Sequence, residues 1–268
     1  MIWLEFINFI ENFNTMKKLF TLLALTISFS MNAQVSTNST SPTGTYASAM
    51  GNGTTASGNE STAMGYDTTA SAEASTAMGY STTASALSST AMGMGTTASG
   101  LYSTAMGRST TASGNRSTAT GAYTTASDFG STVIGQYNSS GSSVTNNATS
   151  FNTANTAFVI GNGTDSSNKS DAFKVMFNGD ATIGNDLTVS GDVVVSSDAR
   201  LKSNIISLGS TLSRLLLIDG KSYEMKGKQK IGVLAQEIKE VFPELVTEDE
   251  NEMLAVNYQG LVPVLINA

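Results

Sequence analysis

The fold is decided by residues 61–74, which read Ser-Thr-Ala-Met-Gly-Tyr-Asp-Thr-Thr-Ala-Ser-Ala-Glu-Ala. They are one unit of a fourteen-residue repeat that occurs six times between Ala47 and Gly130. The second half, Thr-Thr-Ala-Ser, never varies and begins at Thr54, Thr68, Thr82, Thr96, Thr110 and Thr124. The first half, Ser-Thr-Ala-Met-Gly, begins at Ser61, Ser75, Ser89 and Ser103, with variants at Ala47 and Ser117 and a fading seventh copy at Ser131. So regular a period predicts stacked copies of one structural unit.

Each unit is too short for a pair of helices, because helix-pair repeats need more than about thirty residues. Two short strands with a turn after each fit fourteen residues well. Small residues alternate in both halves, at Ser61, Ala63 and Gly65 and again at Thr68, Ala70 and Ala72. Because successive strand residues point to opposite sides, this parity predicts that the small residues line a narrow interior. We therefore expect a mainly β protein built from a coil of parallel strands.

The opposite parity carries one methionine in most units, in register, at Met50, Met64, Met78, Met92 and Met106. Stacking would align these side chains into a continuous apolar stripe on the outside of the coil, of a kind that monomers rarely expose. We expect this methionine stripe to meet copies of itself across a symmetry axis. The alternative is that the methionines fold back as a satellite core.

The pattern Ser-x-Ala-x-Gly-x-x-Thr-x-Ala-x-Gly/Ala in residues 47–137 resembles the head repeats of trimeric autotransporter adhesins. The resemblance implies a left-handed parallel β-roll of three chains abreast that binds matrix or another surface. The motif that this family uses for collagen binding, Val-Ala-Ile-Gly, is replaced here by Thr-Ala-Met-Gly, so the resemblance does not imply collagen binding. A further alternative is binding of ice or polysaccharide by a ladder of stacked hydroxyls, at Thr55, Thr69, Thr83, Thr97, Thr111 and Thr125.

Histidine and cysteine are both absent from the 268 residues. Their absence excludes Ser-His-Asp triads, thiol nucleophiles, disulfide bonds and sites that bind metal through imidazole or thiolate. The net charge of −7 argues against nucleic acid or an anionic membrane surface as a partner. We expect no cofactor, no metal and no nucleic acid, but a homotrimer with an extracellular surface or matrix ligand.

Residues 16–33 have the organisation of a signal peptide. Met16-Lys17-Lys18 is basic, residues 19–27 form an apolar run too short to span a bilayer, and Ala33 offers a small residue for cleavage. A buried helix, the alternative, is disfavoured by the Ser/Thr-rich stretch that follows. Residues 1–15 then reflect a start assigned too early, and 34–46 form an N-terminal linker. We expect export to the cell surface or the extracellular space, with no membrane span in the mature chain.

Residues 138–196 are predicted to form a linker and a β-stem. Residues 138–155 are rich in Ser, Asn, Thr and Gly, which is typical of a loop. Short strands bounded by Gly, Asn and Asp are predicted at 156–163, 172–177, 181–183, 187–189 and 193–195. Strands this short need partners, which favours a stem of three chains over the alternative of calcium binding by the Asp turns.

The composition changes at Ser196, and residues 197–268 contain 18 of the chain's 35 charged residues. The residue spacing predicts a small α+β domain. Its predicted helices are 206–218, 236–241 (ended by Pro243) and one that begins at Tyr258, and its predicted strands are 221–225, 230–234 and 253–256. The acidic run at 248–252 is predicted to be a solvated turn.

Three stretches of this domain resemble the endosialidase-type intramolecular chaperone of phage tail spikes and other trimeric β-fibres. They are 196–205 (Ser-Ser-Asp-Ala-Arg-Leu-Lys-Ser-Asn-Ile), 231–237 (Ile-Gly-Val-Leu-Ala-Gln-Glu) and 256–263 (Val-Asn-Tyr-Gln-Gly-Leu-Val-Pro). The resemblance implies a domain, 197–268, that aligns three chains and then releases itself by autoproteolysis between Ser196 and Ser197. It implies a peptidase dyad of Ser197 and Lys202 that acts once, in cis. Family members usually continue into a long helix, which raises the hypothesis that the domain is truncated here.

The residue chemistry is compatible with that dyad. In a chain without histidine, a serine nucleophile needs another base, and a lysine serves where burial disfavours its charged form. Without the motif, Lys202 would be interpreted as a surface cation. Gln236 and Glu237 either orient groups near the cut or cap a helix. The main functional alternative is a purely structural fibre, or a phage-type tail component, whose C-terminal domain does not cleave.

Overall fold

The computed structural model describes residues 16–18, 37–249 and 252–268. The predicted start, 1–15, the predicted signal peptide except 16–18, residues 34–36 of the predicted linker and two residues of the acidic run therefore lie outside the described residues. The rest of the predicted linker, 37–46, is not a plain linker, because it contains two short strands, Thr37–Asn38 and Ser41–Pro42. The chain divides into two compact units, one ending at Val189 and one beginning at Ser190. Within the described ranges, no helix is long and apolar enough to cross a membrane.

The first unit is a parallel β-solenoid in which a full coil contributes a five-residue strand and a two-residue strand. The longer strands stack into one sheet and the shorter ones into a second, with each residue paired to the one fourteen positions away, as Ala63 with Ala77. This confirms the mainly β, coiled architecture. The strands are β1 Thr37–Asn38, β2 Ser41–Pro42, β3 Ser48–Asn52, β4 Thr55–Ala56, β5 Thr62–Tyr66, β6 Thr69–Ala70, β7 Thr76–Tyr80, β8 Thr83–Ala84, β9 Thr90–Met94, β10 Thr97–Ala98, β11 Thr104–Arg108, β12 Thr111–Ala112, β13 Thr118–Ala122, β14 Thr125–Ala126 and β15 Thr132–Gln136.

The interior of the coil is lined by small side chains at the same positions of successive repeats. In one coil these are Thr68, Ala70, Ser75 and Ala77, all fully buried. Such side chains bury few methylene groups, each of which contributes about 0.8 kcal/mol. The coils are joined instead by a regular ladder of backbone hydrogen bonds, such as Thr69 N to Thr82 O at 2.8 Å.

Gly65 departs from the predicted inward parity, because it is exposed. Its φ is +123°, and a Cβ added there would lie 2.0 Å from the carbonyl oxygen of Gly79 in the next coil. The backbone alternation is broken at this point, and the coils approach too closely for a side chain. The same glycine recurs with φ near this value at Gly51, Gly79, Gly93, Gly107 and Gly121.

Each complete coil also has two corners in the left-handed conformation, and most of them are not glycine. Asp67 and Ala74, both with φ of 53°, are the corners of one coil. Their N–H groups donate to the preceding coil, to the carbonyl oxygens of Asn52 and Asn59, at 2.8 Å in both cases. Stacking therefore stabilises a backbone conformation that costs a non-glycine residue about 1–2 kcal/mol.

Three further strands extend the larger sheet beyond the repeats: β16 Thr156–Asn162, parallel to β15, then β17 Asp171–Met176 and β18 Ala181–Ile183, both antiparallel. These agree with the strands expected at 156–163, 172–177 and 181–183. The strands expected at 187–189 and 193–195 are not formed, and both segments are irregular and exposed. Within one chain, neither segment pairs with a sheet edge.

Residues 138–155 contain no strand, as their composition predicts, but they pack against the last coil. The buried Asn138 side chain pairs with the backbone of Thr125 in β14, with N–H···O distances of 2.8 and 2.9 Å. The fully buried Asp128 carboxylate accepts N–H groups from Thr145 at 2.6 Å and Thr156 at 2.8 Å. An amide and a carboxylate thus replace the backbone partners that a further coil would supply.

The described residues of the C-terminal unit form two antiparallel hairpins and three short α-helices, with 3-10 turns at Ala199–Leu201, Pro243–Leu245 and Tyr258–Gly260. The hairpins are β19 Lys221–Met225 with β20 Lys228–Gly232, and β21 Val246–Glu248 with β22 Leu254–Val256. The helices are α1 Leu212–Leu215, α2 Ala235–Val241 and α3 Leu261–Ile266. Ile238, Phe242, Leu245 and Val264 form its buried core.

The helix expected over 206–218 was a wrong prediction, because only the single turn of α1 forms. Ile206, the first residue of the predicted helix, and Leu208, which its residue spacing placed on the apolar face, are 84% and 50% exposed. Helices this short depend on tertiary packing, and residues 206–210 are all exposed in one chain. Thr211, which is buried, ends this exposed stretch by donating its hydroxyl to the carbonyl oxygen of Val264 at 2.6 Å.

Candidate functional site

The segment after Ser196 contains a tight turn, a 3-10 helix at Ala199–Leu201. Asp198 caps its N-terminus by accepting the N–H of Arg200 on Oδ1 at 2.8 Å. Two backbone bonds close the turn, from Leu201 N to Asp198 O and from Lys202 N to Ala199 O, both 3.1 Å long. An aspartate that accepts a hydrogen bond from the N–H two residues later is common in turns, and here it stabilises the turn between Ser197 and Lys202.

The turn brings together the two residues predicted to form the dyad. Lys202 Nζ donates to Ser197 Oγ at a distance of 2.7 Å, and both side chains are exposed. This distance is within the range that a nucleophile and its base require. The donor here is the amine, so a base role requires the neutral amine to accept the serine proton instead.

Asp198 and Arg200 form a fork-like ion pair beside the dyad. Arg200 Nε lies 3.0 and 3.2 Å from the two carboxylate oxygens, and its NH2 group lies 2.7 Å from Oδ2. The side-chain hydrogen bonds from Arg200, followed by its backbone N–H, lower the pKa of Asp198. The same pairing raises the pKa of Arg200. We did not single out this pair from the sequence, although both residues belong to the motif.

Gln236 and Glu237 lie in the first turn of α2, and among the described contacts none joins them to Ser197 or Lys202. Glu237 Oε1 forms an ion pair with Lys221 Nζ at 3.2 Å, and Asp219 contacts the same amine at 2.6 Å. These two partners, Asp219 first, raise the pKa of Lys221. The structure thus gives Glu237 a role in linking α2 to β19 rather than one at the candidate cut.

The methionine stripe runs along the outer face of the larger sheet. Its members are partly buried and pair in register across coils, Met64 with Met78 and Met92 with Met106. The stripe is interrupted at Thr120 and resumes at Ile134 and Ile160, which also pair in register. On the smaller sheet, the second threonine of each Thr-Thr-Ala-Ser forms the expected outward ladder.

Comparison with known families agrees with this division. A family model described as "Chaperone of endosialidase" matches residues 197–247. A model described as "YadA head domain repeat (2 copies)" matches residues 43–68, 70–96 and 98–124. No curated protein matches the chain.

The stacked repeats define the class of the first unit, a parallel β-solenoid of about seven turns. The chain carries YadA head repeats together with a chaperone-of-endosialidase domain, which confirms both resemblances inferred from the sequence. Its coarse organisation is therefore an adhesin-like head followed by a chaperone domain.

Proposed function

We propose that the protein is a secreted or cell-surface homotrimeric fibre with an adhesin-like head. Its C-terminal domain, residues 197–268, would act as an intramolecular chaperone and then release itself by autoproteolysis. The contact of 2.7 Å between Lys202 Nζ and Ser197 Oγ carries the proposal, at the residue where the chaperone match begins. The YadA head repeats support the surface location and a surface or matrix ligand.

Three regions support assembly into a homotrimer because each leaves apolar side chains uncovered in one chain. The first is the larger sheet of the solenoid, where the methionine stripe is only partly buried and Tyr66, Tyr80 and Met94 are 50%, 53% and 43% exposed. The second is the irregular segment around residues 187–195, where Val194 is 88% exposed. The third is the C-terminal unit, with Ile206 at 84% and Ile231 at 87% exposure. Contiguous exposed apolar surface is typical of interfaces, and a symmetric assembly would bury equivalent surface on every chain.

The proposed cut is a serine-mediated acyl shift followed by hydrolysis. Ser197 Oγ attacks the carbonyl carbon of Ser196, and neutral Lys202 takes the hydroxyl proton. That proton then passes to the Ser197 nitrogen as the peptide bond breaks, which leaves an ester between the Ser196 acyl group and Ser197 Oγ. Water hydrolyses the ester, so the products are a Ser196 carboxylate and a fragment that begins with the free amine of Ser197.

Assembly would control when the cut occurs. In one chain, Ser197 and Lys202 are both exposed, whereas burial is what disfavours the charged form of an amine. Packing of three chains around this turn would desolvate the amine and favour its neutral form. We therefore expect scission only after the trimer has formed.

A mass spectrum of the expressed full chain tests the cut directly. We expect a fragment of 72 residues, 197–268, together with the complementary upstream chain. Ser197→Ala should abolish its release, and so should Lys202→Arg, because a guanidinium cannot act as a base near neutral pH. Ser196→Ala is the matched control and should still cleave. Lys202→Arg that cleaves at the normal rate would remove Lys202 from the mechanism.

Sedimentation of the uncleaved Ser197→Ala chain tests the assembly. We expect three chains, and we expect Met78→Asp with Met92→Asp to prevent assembly, since charges would be desolvated at the interface. Thr83→Asp with Thr97→Asp, on the outward ladder of the smaller sheet, is the control and should assemble. A stable folded monomer at micromolar concentration would contradict the proposal. An uncut wild-type trimer would instead favour the purely structural fibre, and a trimeric coiled coil fused after Ala268 would then test whether the domain is truncated.

A further inference from the structure

A lysine that acts as a base must be able to lose its proton, and a nearby carboxylate opposes this. An opposite charge within about 4–6 Å favours the charged form of a titratable group. The carboxylate nearest to Lys202 in sequence is Asp198, four positions earlier and on the same turn. If Asp198 were free to pair with Lys202, it would hold the amine as an ammonium ion and weaken it as a base.

The structure directs this carboxylate elsewhere. Both oxygens of Asp198 are engaged by Arg200, through Nε at 3.0 and 3.2 Å and through NH2 at 2.7 Å. Lys202 Nζ contacts the Ser197 hydroxyl instead. Within the described part of the chain, no carboxylate lies within ion-pair distance of Lys202. The charged groups beside it are therefore Asp198 and Arg200 of its own turn, and no charged contact reaches it from β19–β22 or α1–α3.

We propose that Arg200 is a positioning residue for self-cleavage, because its guanidinium keeps the Asp198 carboxylate from pairing with Lys202. This inference rests on the proposed function and adds a residue to it. The planar guanidinium suits the task because its donors match both carboxylate oxygens at once, which a lysine ammonium cannot do.

The pH dependence of cleavage in the full chain tests this role. Arg200→Gln frees Asp198, so the rising limb of the rate profile should move to higher pH by about half a unit, which is about a threefold slower cut at neutral pH, because the ion pair is solvent-exposed. Adding Asp198→Asn removes the released carboxylate and should return the profile toward the wild type. Lys228→Gln, which removes an exposed positive charge from the same unit, should leave it unchanged. A merely structural role for Arg200 would not produce rescue by the second substitution.

A second measurement reads the amine itself and does not depend on cleavage. In the Ser197→Ala chain, acetic anhydride acylates Lys202 in proportion to its neutral form, and peptide mass spectrometry gives the extent at each pH. We expect the same shift with Arg200→Gln and the same return with Asp198→Asn, at an association state checked by sedimentation. An acylation profile unmoved by Arg200→Gln overturns the role of Arg200. A wild-type chain that never cleaves contradicts the proposed function instead.

Discussion

The repeat region and the C-terminal unit bury their interiors in opposite ways. In the solenoid, Ala, Thr and Ser side chains are fully buried coil after coil, and the backbone ladder connects the coils. In the C-terminal unit, a few large side chains such as Ile238 and Phe242 form one core. Around that core, large apolar residues remain exposed, Ile231 at 87% among them.

The difference shows two ways in which a chain can depend on neighbours. A solenoid coil has its neighbours in the same chain, so its interior closes without another molecule, and the apolar side chains that remain exposed, such as Tyr66 and Tyr80, lie outside that interior. The C-terminal unit has about 79 residues and no repeated neighbour, and small units bury a lower share of their surface. Four substitutions would sharpen this contrast, each measured in the uncleaved Ser197→Ala chain by thermal unfolding and hydrogen exchange.

The largest effect is expected from Gly79→Ala. The added Cβ would lie 2.0 Å from the carbonyl oxygen of Gly93, at a φ of +126° that side chains rarely adopt. Because the atom it meets is backbone, the coils must separate, at a cost above about 4 kcal/mol. We expect loss of exchange protection throughout the neighbouring coils.

Gly95→Ala is the matched control for that change. Its φ is +64°, and the nearest atom to an added Cβ, Ser109 Oγ, is 3.5 Å away. Equivalent corners already contain Ser81 and Asp67. The expected cost is about 1–2 kcal/mol. Equal costs for the two substitutions would show that close stacking does not determine the glycine.

Phe242→Ala should have the next largest effect, and it should be confined to the other unit. Phe242 is 1% exposed, and Arg214 stacks on its ring with Cζ 4.0 Å from the centroid. Truncating a buried phenylalanine costs about 3–5 kcal/mol. We expect exchange protection to fall within 190–268 while the repeats keep theirs. Loss of protection in the repeats as well would contradict the separation of the two interiors.

Asp128→Ala tests the end of the solenoid. Two backbone N–H groups would lose a buried charged acceptor, at a total cost of about 3 kcal/mol, at the low end for two such bonds. Asp171→Ala is the control, because that carboxylate also accepts two N–H groups, from Ser139 and Ser140 at 2.8 Å, but is only partly buried. We expect a smaller loss there, and fraying of the last coil only with Asp128→Ala.

Thr82→Val should have the smallest effect and the opposite sign. Among the described residues, the buried Thr82 hydroxyl has no hydrogen-bond partner, and the same holds for the equivalent threonine of the other coils. Replacing an unsatisfied hydroxyl with a methyl group should stabilise the solenoid by about 1 kcal/mol. Ser75→Ala removes a hydroxyl that donates to Ala72 O at 2.6 Å, so it should destabilise by a similar amount. A loss of stability in Thr82→Val would indicate a partner for that hydroxyl.

The coil follows from the amino-acid sequence alone, because the period of fourteen residues repeats the same local preferences and each coil pairs with the next at a constant separation. The sequence also determined the buried positions Ala63 and Ala70, and the helix around Ile238 with its end before Pro243. Where the repetition stops, the conformation depends on tertiary contacts that the sequence pattern does not reveal. At the end of the solenoid, the Asp128 carboxylate accepts a hydrogen bond from Thr156 N, and the Asn138 side chain accepts one from Thr125 N. The residues in these pairs are not separated by the repeat length, so the periodicity does not predict the contacts.

The other differences between the predicted and the observed structure, at Gly65 and at residues 206–211, have the same origin. Gly65 turns outward because its neighbour in the next coil approaches too closely, and residues 206–211 are not helical because tertiary contacts that would support a short helix are lacking. The contact of Ser197 with Lys202 was partly predictable. The sequence motif identified both residues, but their approach to 2.7 Å depends on the Asp198 cap and the turn at 199–201. Local sequence specifies a conformation where its neighbours repeat it, and elsewhere the conformation depends on contacts between distant residues.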